Sequence, residues 1–147
     1  MYEVGPAVAS DLIAIRLLLE SSGLPTSDLA AARPEFVVIR EHGQVMAAGA
    51  LQRFGSAALL RSVAVSPELR RAGLGKRIVS GLERLARASG TEQLILLTET
   101  AADFFAGLGY RPIERAAVPP VVQQSEEFRS LCPASATCMA KRLTEST

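Results

Sequence analysis

The stretch from Leu74 to Leu97 constrains this chain more than any other. Leu74, Ile78, Leu82 and Leu85 recur at spacings of four, four and three, while Lys76, Arg77, Glu83, Arg84 and Arg87 fall off that stripe. This is the pattern of a helix with one buried face. Gly90 follows where a helix can close on a left-handed residue. Then comes Leu94-Ile95-Leu96-Leu97, apolar with no alternation, which predicts a strand covered on both sides. A further apolar run, Ala57 to Val65, precedes the helix. Strand, long helix and buried strand make a right-handed βαβ unit, so the chain is committed to a sheet with helices on its faces.

The remaining segments extend that sheet. Tyr2-Glu3-Val4 is a short strand candidate, and Ser10 or Asp11 can cap a helix whose inward face carries Leu12, Ile15 and Leu19. Gly23 and Pro25 end it, and Thr26 to Arg33 is a second, short helix halted by Pro34. From Glu35 the period shortens. Phe36 to Ile39, Val45 to Leu51 and Ala57 to Val65 are joined by the turns His42-Gly43 and Phe54-Gly55-Ser56, which predicts an antiparallel meander. Beyond the buried strand, Ala101 to Leu108 is helical and Tyr110 to Ile113 extended. Val121 to Leu131 is a brief helix or a lid-like cover, and Ala136 to Leu143 a last strand. The expected architecture is α/β, a mixed and mostly antiparallel sheet of about seven strands around a central βαβ unit. It forms one domain over residues 1–147.

Composition narrows the function. With 147 residues the chain can bury roughly 68–70% of its extended surface, enough for a core without disulfides or metal. Sixteen basic residues against fifteen acidic argue against bulk electrostatic binding of nucleic acid. One histidine and two cysteines, Cys132 and Cys138, are too few for a zinc site, so no metal is expected. No apolar run approaches 18 residues, so no membrane contact is expected, and Met1 to Pro6 lacks the pattern of a secretion signal. The cytoplasm is the expected compartment. His42 sits in a polar turn and is unsuited to a Ser–His or Cys–His arrangement.

The chemistry lies in Arg70-Arg71-Ala72-Gly73-Leu74-Gly75-Lys76, between the third meander strand and the long helix. Glycines here let backbone N–H groups approach a ligand. Lys76 and Arg77 oppose the dipole of the helix they begin. A bound anion relieves that conflict, so the segment reads as a phosphate site. The nucleoside-triphosphate loop fails, because Arg70 stands where its first glycine belongs and Arg77 where Ser or Thr belongs. The dinucleotide fingerprint fails too, with Ile78 at its last glycine.

What the segment resembles is R/Q-x-x-G-x-G/A, the pyrophosphate loop of the GCN5-related N-acetyltransferases, here Arg70-x-x-Gly73-x-Gly75. Val63-Ala64-Val65 before it and Phe104-Phe105-Ala106-Gly107-Leu108-Gly109-Tyr110 after the buried strand extend the resemblance over essentially the whole chain. It implies an acetyl-coenzyme A site and transfer of the acetyl group to an amine. Val63, Ala64 and Val65 would hold the pantetheine arm, and Arg70, Arg71, Ala72, Gly73, Leu74, Gly75 and Lys76 the pyrophosphate. Thr98, Phe104 and Phe105 would flank the thiol end.

The chain departs from the family pattern at its catalytic positions. Many relatives carry a carboxylate base where Arg61 and Ser62 stand, and a tyrosine acid where Phe105 stands. Glu99 is the candidate base, with an ordinary surface glutamate as the alternative. Arg61, taken to share a face with Val63 by the two-residue strand period, is expected with Ser62 to contact an anionic substrate group. The Cys132 to Met139 stretch, with Leu59 to Ser62 and Phe104-Phe105, resembles a bacterial subgroup found with arsenic-resistance genes. That subgroup's better-known sibling acetylates glutamate-like arsenic and phosphorus amino acids such as arsinothricin and phosphinothricin. The two cysteines either pack the last strand or bind trivalent arsenic. A small amino-acid-like amine is therefore the expected substrate, with a homodimer through the C-terminal strand as a possible assembly. Acetylation of protein N-termini or lysines, or non-catalytic coenzyme A sensing, are the alternatives.

Overall fold

The computed structural model describes residues 2–69, 73–131 and 135–143. Among them seven strands form one sheet in the order β1-β2-β3-β4-β5-β7-β6. The strands are β1 (Tyr2–Pro6), β2 (Glu35–Glu41), β3 (Gln44–Phe54), β4 (Ala57–Val65), β5 (Gln93–Thr98), β6 (Arg111–Pro112) and β7 (Thr137–Arg142). Only β4 and β5 pair in parallel, and the five other pairings are antiparallel. The helices are α1 (Leu12–Ser21), α2 (Leu29–Ala32), α3 (Leu74–Ala88), α4 (Ala102–Ala106) and α5 (Pro120–Gln123).

The meander and the βαβ unit stand as their periodicities predict. His42 and Gly43 both take positive φ, 53° and 78°, in the two-residue turn between β2 and β3, the geometry that suits a hairpin's twist. Gly90 closes α3 at φ 83°, and Asp11 accepts the Val8 amide at 2.8 Å ahead of α1.

One face of the sheet is covered by α3. Its Leu74, Ile78 and Leu82 meet Ile39, Leu51, Ala58, Leu60, Leu94 and Leu96 in the main core. The other face is covered in two patches. Ile15 and Leu19 of α1 lie on Val38, Ala48 and Ala64. Val118, Val122 and Phe128 lie on Ala57, Leu59, Ile95 and Ala140. Residues 118–128 are thus a packed layer with a buried apolar side, rather than a loose lid.

Several expectations need correction. The buried stripe of α1 is narrower than predicted: Ile15 and Leu19 are covered while Leu12, Ile13 and Leu17 are exposed, because the sheet offers α1 only a small footprint. Tyr110 is not in a strand. Its ring is buried against Phe105, and its hydroxyl donates to Glu83 Oε2 at 2.8 Å. Strand β7 lies inside the sheet, paired along its whole length with β5 and at Met139 and Ala140 with β6. Cys138 is buried among the apolar residues of the second layer, where burial pushes its thiol pKa up. Cys132 lies outside the described residues.

Candidate active site

Strands β4 and β5 pair only at Ala57–Leu59 with Gln93–Ile95. Beyond that point β5 keeps its full pairing with β7, and β4 keeps β3. The gap between them is a cleft of about 720 Å³, walled by Leu60–Val65 of β4 and Leu96–Ala101 of β5 and the turn that follows it.

A bulge marks the place where β4 bends away. Ala48 pairs with Ala64 and Ala50 with Arg61, leaving Gly49 opposite both Ser62 and Val63. Ser62 absorbs the extra residue in the left-handed region, at φ 59°. An added residue of this kind kinks the strand and raises its twist. Gly49 is the counterpart on β3. A Cβ there would lie 2.5 Å from Ile78 Cγ2 and 2.9 Å from Leu82 Cδ1, so only glycine lets α3 sit this close to the sheet.

The bulge also resets which side each residue faces. Ala58 and Leu60 point to the α3 face, as does Val63 after the bulge. Leu59 and Ala64 point to the other. Arg61 therefore does not share a face with Val63. Strict alternation fails here because Ser62 consumes a residue without advancing the ladder.

Arg61 lines the cleft with a guanidinium that is already held by other side chains. Its side chain is 0% exposed. Nη1 and Nη2 each donate to Asp28 at 2.6 Å, Nη1 also reaches Gln52 Oε1 at 3.1 Å, and Nε lies 3.2 Å from Glu127 Oε1 and 3.3 Å from Ser62 Oγ. Asp28 arrives from the turn before α2 and Glu127 from the π-helical turn Glu127–Leu131. Arg61 thus ties the two layers on that face together. With one cation between two carboxylates, the ionised cluster carries net charge −1. Burial of Glu127, reinforced by the Asp28 charge and opposed by Arg61, raises its pKa to about 7.

Most of the other expected residues do gather at the cleft. Val63, Ala64, Val65, Gly73, Gly75, Lys76, Thr98, Glu99, Phe104 and Phe105 all line it. Gly73 caps α3 at φ 78°, and a Cβ on Gly75 would lie 3.3 Å from Phe104 Cζ and 3.8 Å from Val65 Cγ2. The start of α3, the end of β4 and α4 therefore converge on one glycine. Leu74 differs, since its side chain is fully buried in the main core and only its backbone faces this end of the helix. Thr98 Oγ1 accepts the Ala101 amide at 3.0 Å and fixes the turn into α4. Glu99 is exposed at the cleft rim. Arg70, Arg71 and Ala72 lie outside the described residues.

These residues suit a coenzyme A thioester. The first-turn amides of a helix have no acceptor within it, Gly75 keeps that end open, and a mostly apolar gap runs from it between the strands. Two polar residues at the cleft were not singled out by motif or period, Glu127 and Ser22, nor was Asp28, which holds Arg61 from behind the wall. Ser22 Oγ is buried at the cleft wall with no hydrogen-bond partner among the described residues. Only proximity across long stretches of chain reveals them.

Comparison with known proteins agrees with this geometry. Residues 32–112 match the family model described as acetyltransferase (GNAT) domain. The amino-acid acetyltransferase of Pseudomonas fluorescens (strain Pf0-1) is 34% identical over 80 residues, covering 53% of this chain and 18% of that protein. N-alpha-acetyltransferase 80 of Mus musculus is 43% identical over 53 residues, covering 36% and 17%. The chain thus spans less than a fifth of the length of these curated relatives. In fold it is similar to N-acetylglutamate synthase of Neisseria gonorrhoeae, solved with coenzyme A and N-acetyl-glutamate. That likeness has a TM-score of 0.84 at 21% identity, over 99% of this chain and 36% of the other. With the family model covering more than half of its length and the cleft built at the parting of β4 and β5, the chain belongs to the GNAT acetyltransferase family.

Proposed function

We propose that this protein transfers the acetyl group of acetyl-coenzyme A to the primary amine of a small, amino-acid-like acceptor. The observation that carries this reading is the parting of β4 from β5 beside the glycine-opened start of α3, which makes one continuous cleft from an anion-suited end to a buried polar end. In the transfer, the amine nitrogen forms a bond to the thioester carbonyl carbon and the carbon–sulfur bond breaks. The strand segment Val63–Val65 offers backbone groups along the thioester arm. Placing both reactants in one groove supplies the proximity that a bimolecular acyl transfer otherwise lacks.

An acidic acceptor, such as glutamate or a phosphinothricin- or arsinothricin-like analogue, is the finer proposal within that class. The motif resemblance and the likeness to amino-acid acetyltransferases support it. Arg61 does not, because Asp28 and Glu127 already hold its guanidinium. The similarity to N-alpha-acetyltransferase 80 favours a second reading, in which the acceptor is a protein N-terminus. Thiol release from acetyl-coenzyme A, measured across the amino acids, phosphinothricin and short peptides, separates these readings. Turnover with free amino acids supports the first and turnover confined to peptides the second. Calorimetric binding of acetyl-coenzyme A with no turnover on any amine would leave a binding protein instead.

A further inference from the structure

The mechanism above leaves the proton of the incoming ammonium without an acceptor. Four titratable side chains line the cleft among the described residues: Arg61, Lys76, Glu99 and Glu127. Arg61 and Lys76 are cations and Glu99 is exposed at the rim. Glu127 is a carboxyl only 4% exposed, on the wall beside Leu60–Val65 where the thioester arm would lie. We propose that Glu127 is the general base of this site, receiving the proton of the acceptor's ammonium; this rests on the acetyl-transfer reading.

The cluster around it explains how a buried carboxylate can serve. Arg61 is already neutralised by the two-pronged contact with Asp28, so its charge is only partly available to Glu127. Among the described residues, the charged groups facing Glu127 are Arg61 from β4 and Asp28 from the turn before α2. Lys76 and Glu99 stand further along the cleft walls, and Glu126 and Arg129 point outward on its own segment. With Asp28 and Arg61 ionised and Glu127 deprotonated, the site is net negative and attracts an ammonium. A base is most effective when its pKa is near the working pH, and Glu127 meets that condition by burial.

The step balances. The ammonium gives one proton to the Glu127 carboxylate, and the free amine attacks the thioester carbon. As the carbon–sulfur bond breaks, the second proton lost by nitrogen passes to the departing thiolate. Glu127 then returns its proton to solvent.

The test compares wild type with Glu127→Gln on two acceptors. One is the most active acceptor among the twenty amino acids and the amino acid phosphinothricin, with L-glutamate tried first. The other is hydroxylamine, a small nucleophile already unprotonated at neutral pH. Wild-type kcat/KM for the amino acid is expected to rise with pH through a limb near 7. Glu127→Gln should lose that limb and about 100-fold or more in rate, while its rate with hydroxylamine stays within about threefold. Glu127→Asp, which keeps a carboxyl, should retain the limb at reduced rate. Equal losses on both acceptors, or a limb that survives in Glu127→Gln, would overturn the assignment while leaving acetyl transfer intact. A wild type active on hydroxylamine but on no amino acid overturns the acceptor class and the base with it. Inactivity on both overturns the transfer reading itself.

Discussion

Replacing Arg61 with methionine tests whether this residue holds the fold or the substrate. The guanidinium is fully covered and lies between Asp28 and Glu127, both themselves almost covered. Methionine fills similar volume but leaves two carboxyls in one buried site, and the ionised charge there goes from −1 to −2. Removing one partner from a buried ion pair costs about 3–5 kcal/mol. In a chain of this size that corresponds to a loss of roughly 10 °C or more in melting temperature. The loss should depend on pH with a definite sign. Without Arg61, whose charge lowers the Glu127 pKa, that buried carboxyl stays protonated to still higher pH than in the unfolded chain, so stability falls as pH rises. Thermal unfolding followed by circular dichroism should therefore show the largest defect near pH 8 and a smaller one near pH 5. Adding Asp28→Asn and Glu127→Gln to Arg61→Met should restore most of the loss. A melting point within about 3 °C of wild type at pH 8, coupled with a selective rise in KM for acidic acceptors, would refute this reasoning and return Arg61 to the substrate.

Other outcomes follow from the same geometry. Glu127, with its pKa raised to about 7 by burial, binds a proton in the folded state that the unfolded chain releases near its ordinary value. Its contribution is thus lost as pH rises through 7. Glu127→Gln should match wild type in stability near pH 5 and exceed it near pH 8 by on the order of 3 kcal/mol at most, read from denaturant unfolding at the two pH values. Gly49→Ala drives a methyl into Ile78 and Leu82 and should cost about 1–3 kcal/mol; urea unfolding showing no loss would mean that α3 shifts freely. Gly75→Glu puts a bulky anion where Phe104 and Val65 approach the start of α3. A folded variant that binds acetyl-coenzyme A by calorimetry as tightly as wild type would show that the cofactor lies elsewhere.

Much of this architecture was legible without coordinates, wherever a local period carries the information. The stripe Leu74, Ile78, Leu82 and Leu85 describes its helix, and Leu94 to Leu97 its doubly covered strand, because each pattern depends on residues a few positions apart. The glycines at 73 and 75 announced the turn into α3 for the same reason. Tertiary structure alone decided the polar end of the cleft. One residue in the left-handed region, Ser62, reverses the side on which every later residue of β4 emerges. That reversal turns Val63 to the α3 face and leaves Arg61 on the opposite face, between Asp28 and Glu127. No window along the chain contains this, since a serine rarely takes that conformation and does so here opposite Gly49, with α3 packed closely over the glycine. The charges of Arg61, Asp28 and Glu127 are written in the chain. That Arg61 offsets only one of the two carboxylates, and that Glu127 can hold a proton near neutrality, follow only when folding strips water from all three.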